Sequence, residues 1–256
     1  MLRGPAVSSR EGQGDEPRDR GSPRPALRLG ALALGDRPAV VASIGLDDLA
    51  AEEIAARADA IELRADLTAH PGPEATRAAL SRLRATGRPI LLTVRAAREG
   101  GQLADDRQRL AIYRACLTQA DGIDLEIASA ALGADLLCSA RQRGLLVILS
   151  IHDFATTPAR EVLLARVAEG VRQGADVVKI ATTTDSLAAV RILMEVTLSA
   201  PHPVATLGMG RFGALSRIVL PAAGSLLTYG AAHRPTAPGQ LPALELLALR
   251  DKLWPA

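Results

Sequence analysis

Short apolar runs alternate with amphipathic segments of helical length from Pro38 to the end of the chain. The runs are rich in Val, Ile and Leu, which is typical of strands that are buried on both faces. Between the runs, apolar residues recur at helical spacing, as in Leu110, Tyr113 and Leu117. The runs predicted as strands are 38–44, 59–64, 89–95, 122–127, 145–152, 176–181, 203–207 and 225–229.

This alternation predicts an α/β fold in which helical crossovers connect the strands of a parallel sheet. Eight strands and eight helices in about 230 residues fit a (β/α)₈ TIM barrel, whose usual size is about 250 residues. A doubly wound open sheet is the alternative, but no Gly-x-Gly-x-x-Gly motif follows the first strand to support a dinucleotide site. Residues 26–35, which alternate leucine with smaller residues around Gly30, predict a short β-hairpin before the barrel.

Composition and charge narrow the class of protein. The 256 residues, 48% hydrophobic and 23% charged, suffice for a globular domain with a sizeable core. A formal net charge of +2 gives no basis for binding nucleic acid or an anionic membrane surface. The sequence contains no run of about 18 apolar residues and no apolar secretion signal at its start. We therefore expect a cytoplasmic protein.

Residues 1–24 differ in composition from the rest of the chain. Nineteen of these 24 residues are Gly, Pro, Ser, Arg, Asp or Glu, which leaves too little apolar surface to fold. The sequence therefore predicts a disordered N-terminal tail over 1–24 and a barrel domain over 25–256.

Cysteine and lysine are both scarce. The two cysteines, Cys116 and Cys138, cannot form a disulfide framework or a four-cysteine zinc site, and we expect both to be reduced core residues. The chain has only two lysines, Lys179 and Lys252, beside 28 arginines. A lysine inside an apolar run therefore needs an explanation.

Polar side chains interrupt the apolar runs near their C-terminal ends, where the active sites of barrel enzymes lie. They are Glu62, Arg64, Arg95, Asp124, Glu126, His152 and Lys179, with Glu99 in the loop after the third strand. Because side chains alternate along a strand, Glu62 shares a face with Arg64, and Leu63 and Leu125 point toward the helices. Burying so many charges without a function would be costly, so the sequence predicts a site at this end of the barrel.

Each of these residues also has a structural interpretation. Glu62 with Arg64, and Arg95 with Glu99, are each compatible with an ordinary ion pair. His152 is compatible with a hydrogen-bonded core histidine, and Lys179 with a side chain that extends to the surface. Their occurrence at the same end of consecutive strands favours a common site. The sequence leaves open whether Asp124 or Glu126 reaches it.

Lys179 is the most informative of these residues. An amine among Val and Ile side chains loses solvation, which disfavours its charged form. A neutral amine attacks carbonyl carbons and forms an iminium that accepts electrons. His152 on the neighbouring strand can then move protons. The pair predicts Schiff-base chemistry on a ketone or aldehyde, without a metal or another cofactor.

The last third of the chain offers an anion site. Residues 208–217 follow the seventh strand, and their glycines expose backbone N–H groups before a predicted helix. Arg217 can clamp a carboxylate with two hydrogen bonds, although a glycine-rich turn with a surface arginine fits the same residues. Residues 236–240 predict a loop that folds over a bound ligand.

Six segments together resemble the type I 3-dehydroquinate dehydratase family. The resemblance extends from about residue 26 to the end, in the order and spacing of that family, and includes its N-terminal hairpin, which closes the bottom of the barrel. The segments are ELRAD (62–66), TVRAAREGG (93–101), SIHDF (150–154), VVKIA (177–181), MGRFGALSR (209–217) and APGQ (237–240). Two departures, Thr236 for serine and Tyr229 for phenylalanine, put only the packing of the closing loop in doubt.

The resemblance implies conversion of 3-dehydroquinate to 3-dehydroshikimate, in the shikimate pathway, by a homodimer. It implies that Lys179 forms the Schiff base, that His152 is the general acid and base, and that Glu99 orients His152. It further implies that Arg217 pairs with the substrate carboxylate. The other residues that it implies in substrate binding are Ser43, Glu62, Arg64, Arg95, Thr236 and Gln240.

Two other functions fit parts of this pattern. A class I aldolase-like barrel also uses a lysine imine, but such enzymes more often take phosphorylated substrates. A dehydratase-like regulatory module without activity would be expected to lose the lysine or the histidine, and both are present here.

Overall fold

The computed structural model describes residues 27–255, so the tail expected over 1–24 lies outside the described residues. These residues form ten strands and eight α-helices, and after the first two strands the strands alternate with helices. The strands are β1 (Arg28–Leu29), β2 (Leu32–Ala33), β3 (Ala39–Gly45), β4 (Ala60–Arg64), β5 (Ile90–Thr93), β6 (Gly122–Glu126), β7 (Leu146–Asp153), β8 (Val177–Thr183), β9 (Val204–Met209) and β10 (Leu227–Ala231). The helices are α1 (Glu52–Ala55), α2 (Pro73–Arg84), α3 (Asp106–Cys116), α4 (Ala134–Gln142), α5 (Arg160–Arg172), α6 (Leu187–Ser199), α7 (Gly213–Ala222) and α8 (Ala243–Leu253).

Strands β3 to β10 form one parallel sheet that curls into a TIM barrel. Its order is β10-β3-β4-β5-β6-β7-β8-β9, so each strand pairs with its neighbour in sequence and β10 returns to β3. The seam between β9 and β10 is bridged by a hydrogen bond of 3.0 Å from Leu226 N to Val204 O. The eight predicted strands and the barrel are confirmed.

The predicted hairpin is present as the antiparallel pair β1 and β2. Leu29 lies beside the hairpin turn and Leu34 directly follows the hairpin. Both are buried in one apolar cluster with Leu91, Leu146 and Leu227. Leu146 and Leu227 are the first residues of their strands, so the hairpin closes the amino-terminal end of the barrel. Only the opposite end, where the strands terminate, is left for a site.

Apolar residues form two layers on the two sides of the sheet. Ile61, Leu63 and Leu125 belong to the layer between strands and helices, as predicted for the two leucines. Alternate residues such as Val41 and Ile148 fill the lower interior of the barrel. Above this apolar plug, the inward positions become polar.

The helices begin and end as their sequences dictate. Pro73 occupies the first turn of α2, where its missing N–H costs nothing. Asp105 accepts a hydrogen bond from Arg107 N at the start of α3, and Ser186 does so from Ala189 N at the start of α6. Among residues 27–255, no helix is long and apolar enough to cross a membrane.

The two cysteines differ in exposure. Cys116 is buried at the end of α3, as expected, whereas Cys138 on α4 is exposed. The prediction of a core position for Cys138 is wrong, because the buried face of α4 is formed by Leu136, Leu137 and Ala140.

A buried ion pair that was not predicted ties α3 to the barrel. Arg109 is fully buried, and its guanidinium pairs with Glu126 at the end of β6. Its Nε also donates to Val94 O at 2.9 Å, so one side chain joins a helix to two strand ends. Nothing in the sequence distinguishes Arg109 from the many surface arginines, because its burial depends on the tertiary packing.

We expect Arg109→Leu to lower the free energy of unfolding by about 3–5 kcal/mol, because it leaves Glu126 with one fewer positive partner in a dry interior. Urea denaturation followed by circular dichroism measures this change. Arg114→Leu, on the same helix, is the control, since Arg114 pairs with Asp135 at the surface and its loss should cost much less. Equal effects of the two substitutions would contradict a structural role for the buried pair.

Candidate active site

A cavity opens at the carboxyl ends of the barrel strands. All ten residues predicted for the site line it: Ser43, Glu62, Arg64, Arg95, Glu99, His152, Lys179, Arg217, Thr236 and Gln240. Its remaining walls are Gly100, Phe154, Ala181, Leu207, Met209, Tyr229 and Ala237. The fold therefore gathers side chains that are up to 197 residues apart in sequence, as between Ser43 and Gln240.

Lys179 is 95% buried, and its amine lies at the floor of this cavity. Its Nζ is 2.9 Å from Asp124 Oδ2 and 3.5 Å from Glu62 Oε1. Of its apolar neighbours in sequence, Val178 and Ile180 point toward the helices and Val177 lies lower in the barrel. In space, two carboxylates face the amine.

Both carboxylates stay ionised in their folded environment. Burial alone would raise the pKa of Asp124, but the charges of Arg95 and Lys179 outweigh burial and lower it. Burial likewise opposes ionisation of Glu62, and Lys179 and Arg64 outweigh it, so the pKa of Glu62 is also lowered. The floor of the cavity thus stabilises positive charge at the Lys179 nitrogen.

Arg95 holds the two acidic residues of β6 in place. Its guanidinium is 2.9 Å from Asp124 Oδ1 and 3.0 Å from Glu126 Oε1. Ser150 Oγ also donates to Asp124 Oδ1 at 2.6 Å. Of the two carboxylates left open by the sequence, Asp124 therefore contacts the amine. Glu126, at the end of β6, pairs instead with Arg95 and Arg109. The alternative interpretation of an Arg95–Glu99 ion pair is wrong, because Arg95 pairs with the two residues of β6 instead.

Glu62 is fixed by two hydroxyl groups on neighbouring strands. Ser43 Oγ donates to its Oε2 at 2.6 Å, and Thr93 Oγ1 donates to its Oε1 at 2.9 Å. Arg64 pairs with Asp66 rather than with Glu62, through two hydrogen bonds of 2.9 and 2.8 Å. The structural interpretation of a Glu62–Arg64 ion pair is therefore wrong, and Glu62 keeps its side chain directed at the amine.

His152 and Glu99 form a pair at the side of the cavity. Glu99 Oε2 accepts hydrogen bonds from the His152 backbone N at 2.9 Å and lies 3.0 Å from Nδ1. Two glycines make the loop that carries Glu99 possible. Gly100 has a φ of 81°, and a Cβ on Gly101 would lie 2.0 Å from the Arg95 carbonyl oxygen.

Burial disfavours the charged form of both residues, so it shifts their pKa values in opposite directions. It lowers the pKa of His152 well below its usual range, and the charges of Arg95 and Lys179 lower it further. It raises the pKa of Glu99 to about 7, with Arg95 opposing the rise. When Glu99 is ionised, Nδ1 carries the imidazole proton and Nε2 is left as a base.

Arg217 on α7 is a buried cation without a carboxylate partner among residues 27–255. Its Nε donates to Tyr229 O at 3.0 Å, and its Nη1 donates to carbonyl oxygens of Gly208, Gly213 and Gly239 at 2.9, 2.7 and 3.1 Å. Burial lowers its pKa to about 10, so it is still charged at neutral pH. The other buried arginines of the described chain all pair with Asp or Glu, which makes Arg217 the natural partner of an anion.

The glycine-rich segment contributes in a different way from that predicted. Its Gly208, Gly210 and Phe212 N–H groups already donate within the protein, to Ser216 Oγ, Pro238 O and Thr184 O. The expectation of a backbone N–H cradle for an anion is wrong at these positions. The glycines instead provide carbonyl oxygens that fix Arg217.

The loop after β10 covers the cavity. Gln240 Oε1 accepts hydrogen bonds from Thr236 N at 2.7 Å and from Thr236 Oγ1 at 3.1 Å. Gln240 Nε2 reaches Ser43 Oγ at 3.5 Å. The loop is thus connected to the Ser43–Glu62 side of the floor.

The sequence missed three kinds of contributors to the site. Asp66 and Ser150, although inside quoted motifs, were not assigned a role, and both position charged residues. Phe154 and Met209 supply apolar walls. Tyr229 was expected to affect only loop packing, yet its ring lies against the Lys179 amine, with 3.9 Å from Nζ to the ring centre. An aromatic residue in a buried strand is ordinary, so no sequence signal marked this contact.

Comparisons with known proteins place this chain in a family. The profile of the family described as type I 3-dehydroquinase matches residues 40–251. A 3-dehydroquinate dehydratase of Methanocella arvoryzae is 37% identical over 211 residues, which cover 82% of this chain and 94% of that protein. One of Methanosarcina acetivorans is 34% identical over 239 residues, covering 88% and 99%.

Solved structures agree with this family. A type I 3-dehydroquinate dehydratase of Clostridium difficile, crystallised with covalently modified comenic acid, has a TM-score of 0.81 and 28% identity over 90% of this chain and 98% of that chain. A deoxyribose phosphate aldolase of Aeropyrum pernix has a TM-score of 0.53 and 15% identity over 85% of this chain and 90% of that chain. The second likeness shows the shared barrel fold alone.

We expect the His152 ring to remain uncharged at pH values where an exposed imidazole is protonated, and to change tautomer as Glu99 ionises near pH 7. Protonated Glu99 would donate to Nδ1 and leave the proton on Nε2, whereas ionised Glu99 reverses this. Side-chain ¹⁵N NMR across this pH range reads both states, and His152→Gln assigns the signals. Glu99→Gln should abolish the tautomer change, and a step that persists in this variant would contradict the assignment.

Proposed function

The chain belongs to the type I 3-dehydroquinase family and is a hydro-lyase, and we propose that it dehydrates 3-dehydroquinate to 3-dehydroshikimate through an imine on Lys179. The overall activity is supported by the family profile and by relatives named 3-dehydroquinate dehydratase. The roles of individual residues are our inference from the geometry of the cavity.

One observation carries this proposal: the buried amine of Lys179 lines the same cavity as Arg217, a buried guanidinium that has no carboxylate partner among residues 27–255. The first suits a ketone, because an amine condenses with a carbonyl carbon. The second suits a carboxylate, which would replace the missing protein counter-ion. The substrate, 3-dehydroquinate, carries both a ketone and a carboxylate on one hydroxylated ring.

The reaction begins at the substrate ketone. Lys179 Nζ gives up a proton and attacks carbon C3 to form a carbinolamine. That proton is returned to the carbinolamine oxygen, which leaves as water to give a positively charged imine. Asp124 and Glu62 face this nitrogen and stay ionised, so they stabilise the charge that the imine carries. The imine draws electrons from C2 and makes its protons acidic.

His152 performs the proton transfers. Its Nε2, left as a base by the Nδ1 contact with Glu99, removes a proton from C2, and the electron pair forms an enamine. The enamine then expels the C1 hydroxyl, which takes the proton from His152 and leaves as water. Hydrolysis of the imine uses the water released at the first step, so one water is lost overall.

The rest of the cavity holds the substrate ring. Arg217 pairs with the carboxylate, and the Ser43–Glu62 side and Arg64 and Arg95 surround the ring hydroxyls. Thr236 and Gln240 close the loop above them and exclude bulk water from the imine.

We also propose that the protein acts as a cytoplasmic homodimer in the shikimate pathway, with 25–256 as its catalytic domain, on the strength of the family resemblance.

The two other functions have less support. An aldolase activity would rest on fold likeness alone, since the aldolase of similar fold is only 15% identical. A regulatory module would not need the contact between Glu99 and His152, nor the pairing of Asp124 with Lys179.

We expect Arg217→Gln to lower kcat/KM for 3-dehydroquinate by about 10²–10³-fold, mainly through a higher KM, because the substrate carboxylate loses its buried partner. The absorbance of the conjugated enone product measures turnover directly. Folded wild-type protein that forms no enone would contradict the proposed activity itself.

Arg211→Gln is the matched control, because Arg211 lies in the same segment but is exposed. Its kcat/KM should equal that of the wild type. Equal losses in the two variants would show that general positive charge, and not the Arg217 contact, binds the substrate.

A further inference from the structure

Tyr229 lies between the two groups that would hold the ends of the substrate. Its backbone oxygen accepts a hydrogen bond from Arg217 Nε at 3.0 Å. Its ring centre is 3.9 Å from Lys179 Nζ. A molecule that reaches from the guanidinium to the amine therefore passes along this residue, which lines the cavity.

The hydroxyl of Tyr229 is buried and has no hydrogen-bond partner among residues 27–255. Tyr113, the other tyrosine of the chain, is also buried, but its hydroxyl accepts from Val94 N at 2.8 Å and donates to the Asp124 carbonyl. A buried hydroxyl without a partner loses its hydrogen bonds to water and gains nothing in return. Tyr229 thus carries a cost that no other residue of the described range 27–255 offsets.

This hydroxyl is suited to donate a hydrogen bond. Burial raises the pKa of Tyr229 well above its usual range, and the charges of Glu62 and Asp124 raise it further, so the proton is retained. A phenylalanine ring would pack equally well and would present the same face to the Lys179 nitrogen. The hydroxyl group is therefore the one feature that distinguishes tyrosine from phenylalanine at this position.

We propose that Tyr229 determines specificity by donating a hydrogen bond from its hydroxyl to an oxygen of the bound substrate, and so positions the substrate between Lys179 and Arg217. This inference rests on the proposed function and adds a residue to it. A site built to hydrogen-bond an oxygen rejects molecules that lack it, because its own polar group is then left unpaired. The residue therefore favours a hydroxylated ring over a simple keto acid.

Tyr229→Phe tests the proposal, since it removes one oxygen atom and keeps the ring. We expect kcat/KM for 3-dehydroquinate to fall by about tenfold. The melting temperature without substrate should stay equal or rise, because an unpaired polar group has been removed from the interior. The rise in melting temperature produced by saturating substrate should be smaller than in the wild type.

Tyr113→Phe is the control, because its hydroxyl is already paired within the protein. It should lower the melting temperature without changing the additional stabilisation by substrate. An unchanged kcat/KM and an unchanged substrate-induced shift in Tyr229→Phe would overturn the proposal, whatever its melting temperature. If the wild-type protein itself did not turn over 3-dehydroquinate, the proposed function would be overturned as well, so the two failures are distinguishable.

Discussion

The pairing of the Lys179 ammonium with Asp124 in the barrel interior is the interaction on which the rest of the structure depends. An isolated charge at this depth would be very unfavourable, so every charged group near it needs a partner in turn. Asp124 is held by Arg95, Arg95 by Glu126, and Glu126 by Arg109. This chain of ion pairs crosses from β8 to α3 and fixes how the strands and one helix are placed.

The same requirement explains the unusual position of Arg217. At the carboxyl end of the barrel, the other described buried cations have carboxylate partners, while Arg217 has only carbonyl oxygens. Carbonyl dipoles hold the guanidinium but do not neutralise it. The remaining positive charge makes the cavity complementary to an anionic ligand, and the paired floor makes it complementary to a cation formed at Lys179. These two properties together describe a keto acid.

Much of this arrangement follows from the sequence, for identifiable reasons. Buried parallel strands give continuous apolar runs, so polar residues such as Glu62 and Lys179 stand out at their ends. The alternation of side chains then places them on the inner face. Arg109 and Tyr229 could not be assigned in this way, because an arginine on an amphipathic helix and an aromatic residue in a strand are both ordinary. Only tertiary contacts show that one is fully buried and that the other faces the amine.

The partners of the predicted residues were the least predictable feature. Neighbours in sequence suggested pairs of Glu62 with Arg64 and of Arg95 with Glu99, whereas the structure pairs Arg64 with Asp66 and Arg95 with residues of β6. Pairing depends on the register between strands, which places Thr93 beside Asp124 and Ser150 beside Lys179. A sequence read one strand at a time does not contain that register.

Borohydride trapping with 3-dehydroquinate, followed by mass spectrometry of the peptides, tests the central claim most directly. The claim is that Lys179, positioned by the carboxylates of Asp124 and Glu62, forms the covalent imine with the substrate. It predicts a substrate-derived adduct on the peptide that carries Lys179 and an unmodified peptide for Lys252, the other lysine. Folded protein that turns over substrate without any adduct on Lys179, or with an adduct on Lys252, would contradict it.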